Sequence, residues 1–450
     1  MSKMPNYTST TNACKLCKPL GASLAFRGIE GCVPFLHGSQ GCATYMRRYI
    51  ISHFNEPIDI ASSSLGEKNA IYGGAANLKL GIKNVTAKYT PEVIGVATTC
   101  LTETIGDDVP MILHEYHEEF GTENSPQVVT VSTPSYAGTH MEGFHAATTA
   151  LVEQLTKPAA MHDKTNLFSG FISTADIRHL KEICEDMDIP ITLMPDYSET
   201  LDGQALNEYP LMPKGGTPLS EVRQMGGAKA TIELGGTLPG RTPGKVLNER
   251  FSTNLYQLGL PMGIRETDAF FETLTTISGK KIPEKYSSAR GRLVDSMVDG
   301  HKYIFGKRAV VFGEEDLVVG LTAFLTEIGI KPVLCASGGN SKKMEKAIQK
   351  VMEGMDCEMP IVKDNVDFYD IESQAAELDI DLVIGHSKGY AFARKLEIPI
   401  IRVGFPVHDR VGGQRILHLG YHGAQSLFDT ITNTIIAKKQ SDSSVGYSYM

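Results

Sequence analysis

Cysteines carry most of the chemistry this sequence can offer. Four of the eight crowd into one stretch, NACKLCKPLGASLAFRGIEGCVPFLHGSQGC, at residues 12–42. Cys14 and Cys17 form a CxxC pair, Cys32 follows, and Cys42 closes the segment HGSQGC with Gly38 and Gly41 beside it. Cys100 ends the apolar run VIGVATTC, and Ser135 ends the similar run QVVTVSTPS. Several chemistries compete for these residues. Zinc takes four ligands, commonly from two paired knuckles, and no second CxxC lies downstream. A thioredoxin-like pair follows a strand and opens a helix, whereas the residues before Cys14 are polar and irregular. An iron–sulfur cluster takes thiolates from loops with little side-chain bulk, where backbone N–H groups approach the sulfides. Cys42 and Cys100 meet that demand, and a purely structural role stands beside it. Ser135 reads as a turn residue or as an oxygen ligand to a cluster that changes oxidation state.

Other groups have plainer readings. Cys184, Cys335 and Cys357 are scattered singly, and buried small hydrophobes account for them. His37 either tunes a cluster by hydrogen bonding or satisfies a core position. Arg47, Arg48 and His53 look like the solvated face of a helix or a contact to a partner. FGEEDLVVGL leads a strand into a helix, but Glu314, Glu315 and Asp316 in its first turn would repel phosphate, so they read as acidic helix capping. SGGNSK at 337–342 and GHSKG at 385–389 are strand-end loops, read as turns with anion binding as the alternative. No serine-hydrolase elbow, HExxH, Walker loop or EF-hand is present.

The elements that must position these residues alternate in type. VPFLH, PEVIGVATTC and QVVTVSTPSY read as strands, and ASLAFRGIEG and ATYMRRYIISHF as helices. TNLFSGFI and IPITLMPDYS follow as strands around the helix ADIRHLKEICEDMD. The helices RETDAFFETLTTISG and SSARGRLVDSMVDGHKYIFG lead to the strands KRAVVFG, KPVLCAS, IDLVIGHSKG and IPIIRVGF, and GAQSLFDTITNTIIAKK closes the chain as a helix. This predicts an α/β protein of three doubly wound (Rossmann-like) domains with mainly parallel sheets. Expected spans are 1–160 for a cluster-ligand domain, then 161–300 and 301–450. Chemistry should gather beyond the strand C-termini. A length of 450 residues suits about three domains. Residues 1–12 read as a polar arm and 441–450 as a polar tail. A net charge of −9 without a basic run disfavours nucleic acid. No run approaches the ~18 apolar residues of a membrane span. The start lacks a secretory core, so a cytoplasmic protein is expected.

The strings CKPLGA, HGSQGC, TTCLTETIGDD, TPSYAGTH, ARGRLVDSMVDGHKYIFGKR and RVGFPVHDR…LGYHGA resemble nitrogenase component 1, in its β-type branch, over nearly the whole chain. The resemblance carries cluster-ligand positions onto Cys17, Cys42 and Cys100. It carries the serine that ligates the oxidised cluster onto Ser135, while Cys14 and Cys32 match no ligand. It implies an iron–sulfur cluster, P-cluster-like or 4Fe-4S, shared with a homologous α-type subunit in an α2β2 heterotetramer. That partner, a scaffold E subunit or nitrogenase α, would alone hold the iron–molybdenum cofactor or its precursor. An ATP-dependent iron protein would be the reductase. Two roles are implied. The short approach to the first cysteine motif, and DRVGGQR in place of a histidine-rich segment, favour the N-type subunit of the cofactor-assembly scaffold. Retention of all three thiols suits the alternative, the catalytic β-subunit or a nitrogenase-like reductase.

Overall fold

Apolar runs rich in Val, Ile and Phe, each closed by a turn, fold here as short buried parallel strands. The computed structural model describes residues 12–121, 125–238 and 240–446. The first sheet has the order Ala61–Ser62, Cys32–His37, Val93–Thr98, Gln127–Val131. The second repeats that pattern with Ile191–Met194, His162–Phe168, Ala228–Leu234 and Asn254–Leu258. The third has five strands, in the order Ile361–Lys363, Lys331–Ala336, Arg308–Phe312, Leu382–Gly385, Ile400–Arg402. All strand pairings are parallel, and helices connect them, so the chain forms three doubly wound α/β units. The edge strands Ala61–Ser62, Asn254–Leu258 and Ile361–Lys363 were not anticipated. They are two to five residues long and none is fully buried.

Two glycines set the packing beneath the first sheet's outlet. Helix Lys18–Arg27 crosses helix His140–Leu155 so closely that a Cβ at Gly21 would lie 1.6 Å from the His140 carbonyl oxygen. One at Gly143 would lie 1.8 Å from the Lys18 carbonyl oxygen. No side chain fits at either position, and the crossing holds the start of one helix against the start of the other.

The acidic residues Glu314, Glu315 and Asp316 depart from their expected role. They open helix Glu315–Glu327, where its dipole favours them, but none caps its own helix. Instead they join segments of all three units. Glu314 meets His140 Nε2 at 2.8 Å, and Glu315 accepts from the Ser341 N–H at 2.9 Å. Asp316 accepts from the Gly236 and Thr237 N–H groups and the Thr237 hydroxyl, each at 2.8 Å. Near the C-terminus, helix Gly420–Asp442 lies along helix Glu284–Ile304, where a Cβ at Gly300 would strike the Phe428 ring. Of the polar ends, only Asn12 and residues 441–446 fall within the described residues. No described helix is long and apolar enough to cross a membrane.

Candidate functional site

Cys17, Cys42 and Cys100 each stand at the start of a helix. Cys17 is the N-cap of Lys18–Arg27, Cys42 lies in the first turn of Gln40–Phe54, and Cys100 is the first residue of Cys100–Ile105. HGSQGC is therefore less loop than expected: only Gly38 and Ser39 separate strand from helix. Gly38 is required there, because a Cβ would sit 2.1 Å from the Thr99 hydroxyl on the adjoining turn. Gly41 faces almost open space. Strands Cys32–His37 and Val93–Thr98 are neighbours in register, His37 opposite Thr98. Their outlets, bearing Cys42 and Cys100, thus lie side by side at the point where strand order reverses.

Ser135 joins this group. Its strand stops at Val131, and Ser135 begins a short 3-10 turn, not the strand end expected for it. Its N–H donates to Cys100 Sγ at 3.2 Å, and its hydroxyl accepts from the Lys18 N–H at 3.3 Å. Burial pushes the Cys17 thiol above its ordinary range. The Ser135 hydroxyl, donating to that sulfur, pulls it back, while the neighbouring Cys100 and Cys42 sulfurs push it up. Cys42 receives a 3.5 Å contact from the Ser39 hydroxyl. The structure thus brings Cys17, Cys42, Cys100 and Ser135 into one half-buried mouth, with the starts of three helices around it. The positive ends of the helix dipoles at this mouth suit an anionic guest. No disulfide forms among the described cysteines.

The remaining cysteines separate from these. Cys14 turns the other way, into the core of the third unit, 3.8 Å from His386 Nε2. Burial drives its thiol up to about 12, and the same cause does so for Cys32, Cys184 and Cys335. Cys357 is only half-buried, so the buried reading given to it does not hold. Among the described residues no three His, Cys, Asp or Glu side chains close around a point fit for a single metal ion.

His37 is a satisfied core histidine. Its Nδ1 lies 2.9 Å from the Ser63 hydroxyl and its Nε2 3.0 Å from Asp107, so neither ring nitrogen is left for a cluster. Asp107 also accepts from the Gly74 N–H, and Asp108 caps the next helix, which gives the GDD after Cys100 a structural role. Arg47 and Arg48 are exposed as expected, but His53 is buried, with Nδ1 accepting from the Val407 N–H at 2.9 Å. Sequence reasoning missed Lys388. Its ammonium donates to the Ala13 carbonyl at 2.6 Å and reaches Lys15 O at 3.4 Å, clamping the CxxC segment. Its place in the strand-end loop GHSKG was the available signal, read there as a turn.

Comparison with known proteins agrees with this geometry. The family model described as nitrogenase component 1 type oxidoreductase matches residues 17–436. The chain is 35% identical to the nitrogenase molybdenum–iron protein beta chain of Clostridium pasteurianum over 428 residues, 95% of this chain and 93% of that one. It is 34% identical to the nitrogenase vanadium–iron protein beta chain of Trichormus variabilis, covering 94% and 93%. A solved structure of nitrogenase Cp1 at pH 6.5 superposes with a TM-score of 0.95 at 33% identity, over 100% of this chain and 98% of that one. With its fold, its cysteine-bearing strand outlets and these relatives in agreement, the chain belongs to the nitrogenase component 1 family, as a β-type member.

Proposed function

We propose that this chain holds one side of an interfacial iron–sulfur cluster through Cys17, Cys42 and Cys100, with Ser135 beside it as an oxygen ligand to the oxidised form. The observation that carries the reading is the meeting of three half-buried thiols at three helix N-termini. A cluster bonds its thiolates to different irons, so its ligands need not close around one point. The donor set is soft and anionic, the N-termini offset its charge, and Gly41 leaves room for close approach. Half a ligand shell calls for a second chain, and exposed Tyr45, Ile51 and Tyr136 offer apolar surface near these thiols. That chain is a homologous α-type subunit in an α2β2 complex, served by an ATP-dependent iron protein. When bound, the cluster supplies electron storage between that reductase and the partner's cofactor. This chain's residues orient the thiolates, balance their charge and shield them from water.

Within this reading the chain serves as the N-type subunit of a cofactor-assembly scaffold, on the strength of DRVGGQR at 409–415. Its Asp409 pairs with Arg402 at 2.7 Å, and Arg415 pairs with Asp202 at 2.9 Å. The catalytic β-subunit is a second reading, favoured by the full set of three thiols with the serine and by relatives named as beta chains of nitrogenase. Iron and acid-labile sulfide in the anaerobically purified complex test the cluster, and their absence overturns it. Acetylene reduction with iron protein and ATP separates the roles: robust turnover assigns the catalytic one, and no turnover from an iron-replete complex assigns the scaffold.

A further inference from the structure

A cleft of about 700 Å³ opens between the first and second units, far down helix Lys18–Arg27 from Cys17. Its floor is Arg27, the last residue of that helix and only 4% exposed. A buried guanidinium is costly unless a carboxylate or several acceptors meet its five N–H donors. Arg27 has neither. Among the described residues it makes no ion pair, and its Nε is buried without a hydrogen-bond partner.

The neighbouring groups do not supply what is missing. Glu56 lines the same cleft, but it accepts from the Gly203 N–H at 3.2 Å and forms no ion pair with Arg27. Glu199 is taken by Arg178 at 3.0 Å, and the cleft's other guanidinium, Arg415, by Asp202. Asp59 accepts from the Tyr89 hydroxyl at 2.9 Å. The Tyr209 hydroxyl meets Arg27 as a single neutral acceptor and donates to the Pro57 carbonyl at 3.4 Å, so it brings no negative charge and no second oxygen. Lys214 stands exposed at the rim and forms no ion pair among the described residues. The helix C-terminus offers Arg27 only a fraction of a negative charge and no planar acceptor pair. Burial lowers the Arg27 pKa, and Tyr209 and Asp59 offset this only in part, yet a guanidinium stays protonated at neutral pH.

We propose that this cleft is a binding site for a small oxyanion, a carboxylate or phosphate, held by the Arg27 guanidinium on its floor with Lys214 at its rim. The planar fork matches two oxygens of either group. The acceptors complete the donors that the protein leaves open, and Lys214 adds a second positive charge as the guest enters. Nothing in this assignment depends on the cysteine site, so the two stand or fall separately.

The test is calorimetric titration of the purified complex with citrate, and separately with inorganic phosphate, at constant ionic strength set by chloride. Saturable binding of one anion per chain is expected, accompanied by a saturating rise in unfolding temperature. Citrate alone binding assigns a carboxylate, phosphate alone assigns a phosphate, and both binding assigns a general oxyanion site. Arg27→Gln should weaken binding about tenfold or more, the loss of a charge-assisted pair. Lys214→Ala, at an exposed position, should weaken it about threefold and leave folding intact, so the proposal remains testable if Arg27→Gln folds poorly. Iron content serves as a control and should be unchanged in Lys214→Ala. No saturable binding of either anion overturns the proposal. Unchanged affinity in a folded Arg27→Gln variant, or in Lys214→Ala if that is the only folded variant, overturns it too.

Discussion

The outlet of the first sheet and the outlet of the third are built alike and have been put to opposite uses. In each, two adjacent parallel strands send their chains apart and leave a crevice between the loops. In the first, between Cys32–His37 and Val93–Thr98, that crevice presents Cys42 and Cys100 to the outside, with Cys17 beside them. In the third, between Arg308–Phe312 and Leu382–Gly385, residues 12–16 of the chain itself occupy the place. Lys388 grips the Ala13 and Lys15 carbonyls, Asn12 O accepts from the Phe368 N–H, and Cys14 lies against His386. A Cβ at Gly338 would sit 2.3 Å from the Cys14 carbonyl oxygen, so this glycine admits the segment. The CxxC pair is therefore divided between two crevices. Cys14 anchors the peptide in one, and Cys17, three residues on, faces the other. What a doubly wound outlet does depends on whether a peptide fills it, not on the sheet that forms it.

The largest expected effect breaks the comparison at the open crevice. Cys42→Ala or Cys100→Ala should remove most of the cluster iron from the purified complex, while Cys184→Ala, buried elsewhere, should keep it. Iron analysis with circular dichroism decides. Equal iron loss from all three variants points to misfolding instead of ligation. The next variant attacks the filled crevice. Gly338→Val forces a side chain against backbone, where overpacking costs about 3 kcal/mol. The denaturation midpoint should fall accordingly. Since the displaced peptide leads straight to Cys17, iron should be partly lost as well. A destabilised protein with full iron would show that Cys17 is held independently of Cys14.

The central strands were legible because their residues are local and uniformly apolar: VIGVATTC reads as a buried strand, and Val93–Thr98 is one, with Cys100 opening the helix that follows. Ser135 was placed in the right neighbourhood and the wrong element, since the ladder stops at Val131 and Thr133 turns its N–H and hydroxyl to Thr98. Edge strands such as Asn254–Leu258 were not legible, because a half-buried edge has no clean period. The division of CxxC was beyond reach for a different reason. Cys14 meets His386 across 372 residues and Ala13 meets Lys388 across 375, and no spacing rule spans that distance. His53 shows the same limit: a histidine in a helix with two exposed arginines reads as solvated until Val407, 354 residues away, is seen to cover it.

His53 lies between the two crevices in effect, tying the helix that carries Cys42 to the third unit. Burial lowers its pKa to about 3, and nearby His408 and His418 also disfavour its charge. An acceptor at Nδ1 further requires the neutral ring. Because the folded value lies below the unfolded one near 6.5, the protein enjoys the full contribution above that pH and loses it as pH falls toward 3. At pH 5 the loss from this residue should reach about 2 kcal/mol. Denaturation midpoints of His53→Leu should start lower and fall less steeply between pH 7 and 5 than those of the parent. Parallel slopes would place the acid sensitivity elsewhere.

The smallest effect sharpens the comparison within the open crevice. Ser135 holds its neighbours by hydrogen bonds that either a thiol or a cluster sulfur can share: its N–H reaches Cys100, and its hydroxyl sits between the Lys18 N–H and Cys17. Ser135→Ala keeps the backbone donor and deletes only the hydroxyl, at a cost of about 1 kcal/mol. Iron content of the reduced complex should therefore stay at the parent level. If the hydroxyl also bonds iron on oxidation, the oxidised variant alone should differ in its electron paramagnetic spectrum. An unchanged oxidised spectrum would reduce Ser135 to a positioning residue. Loss of iron in the reduced state would instead promote it to a ligand in both states.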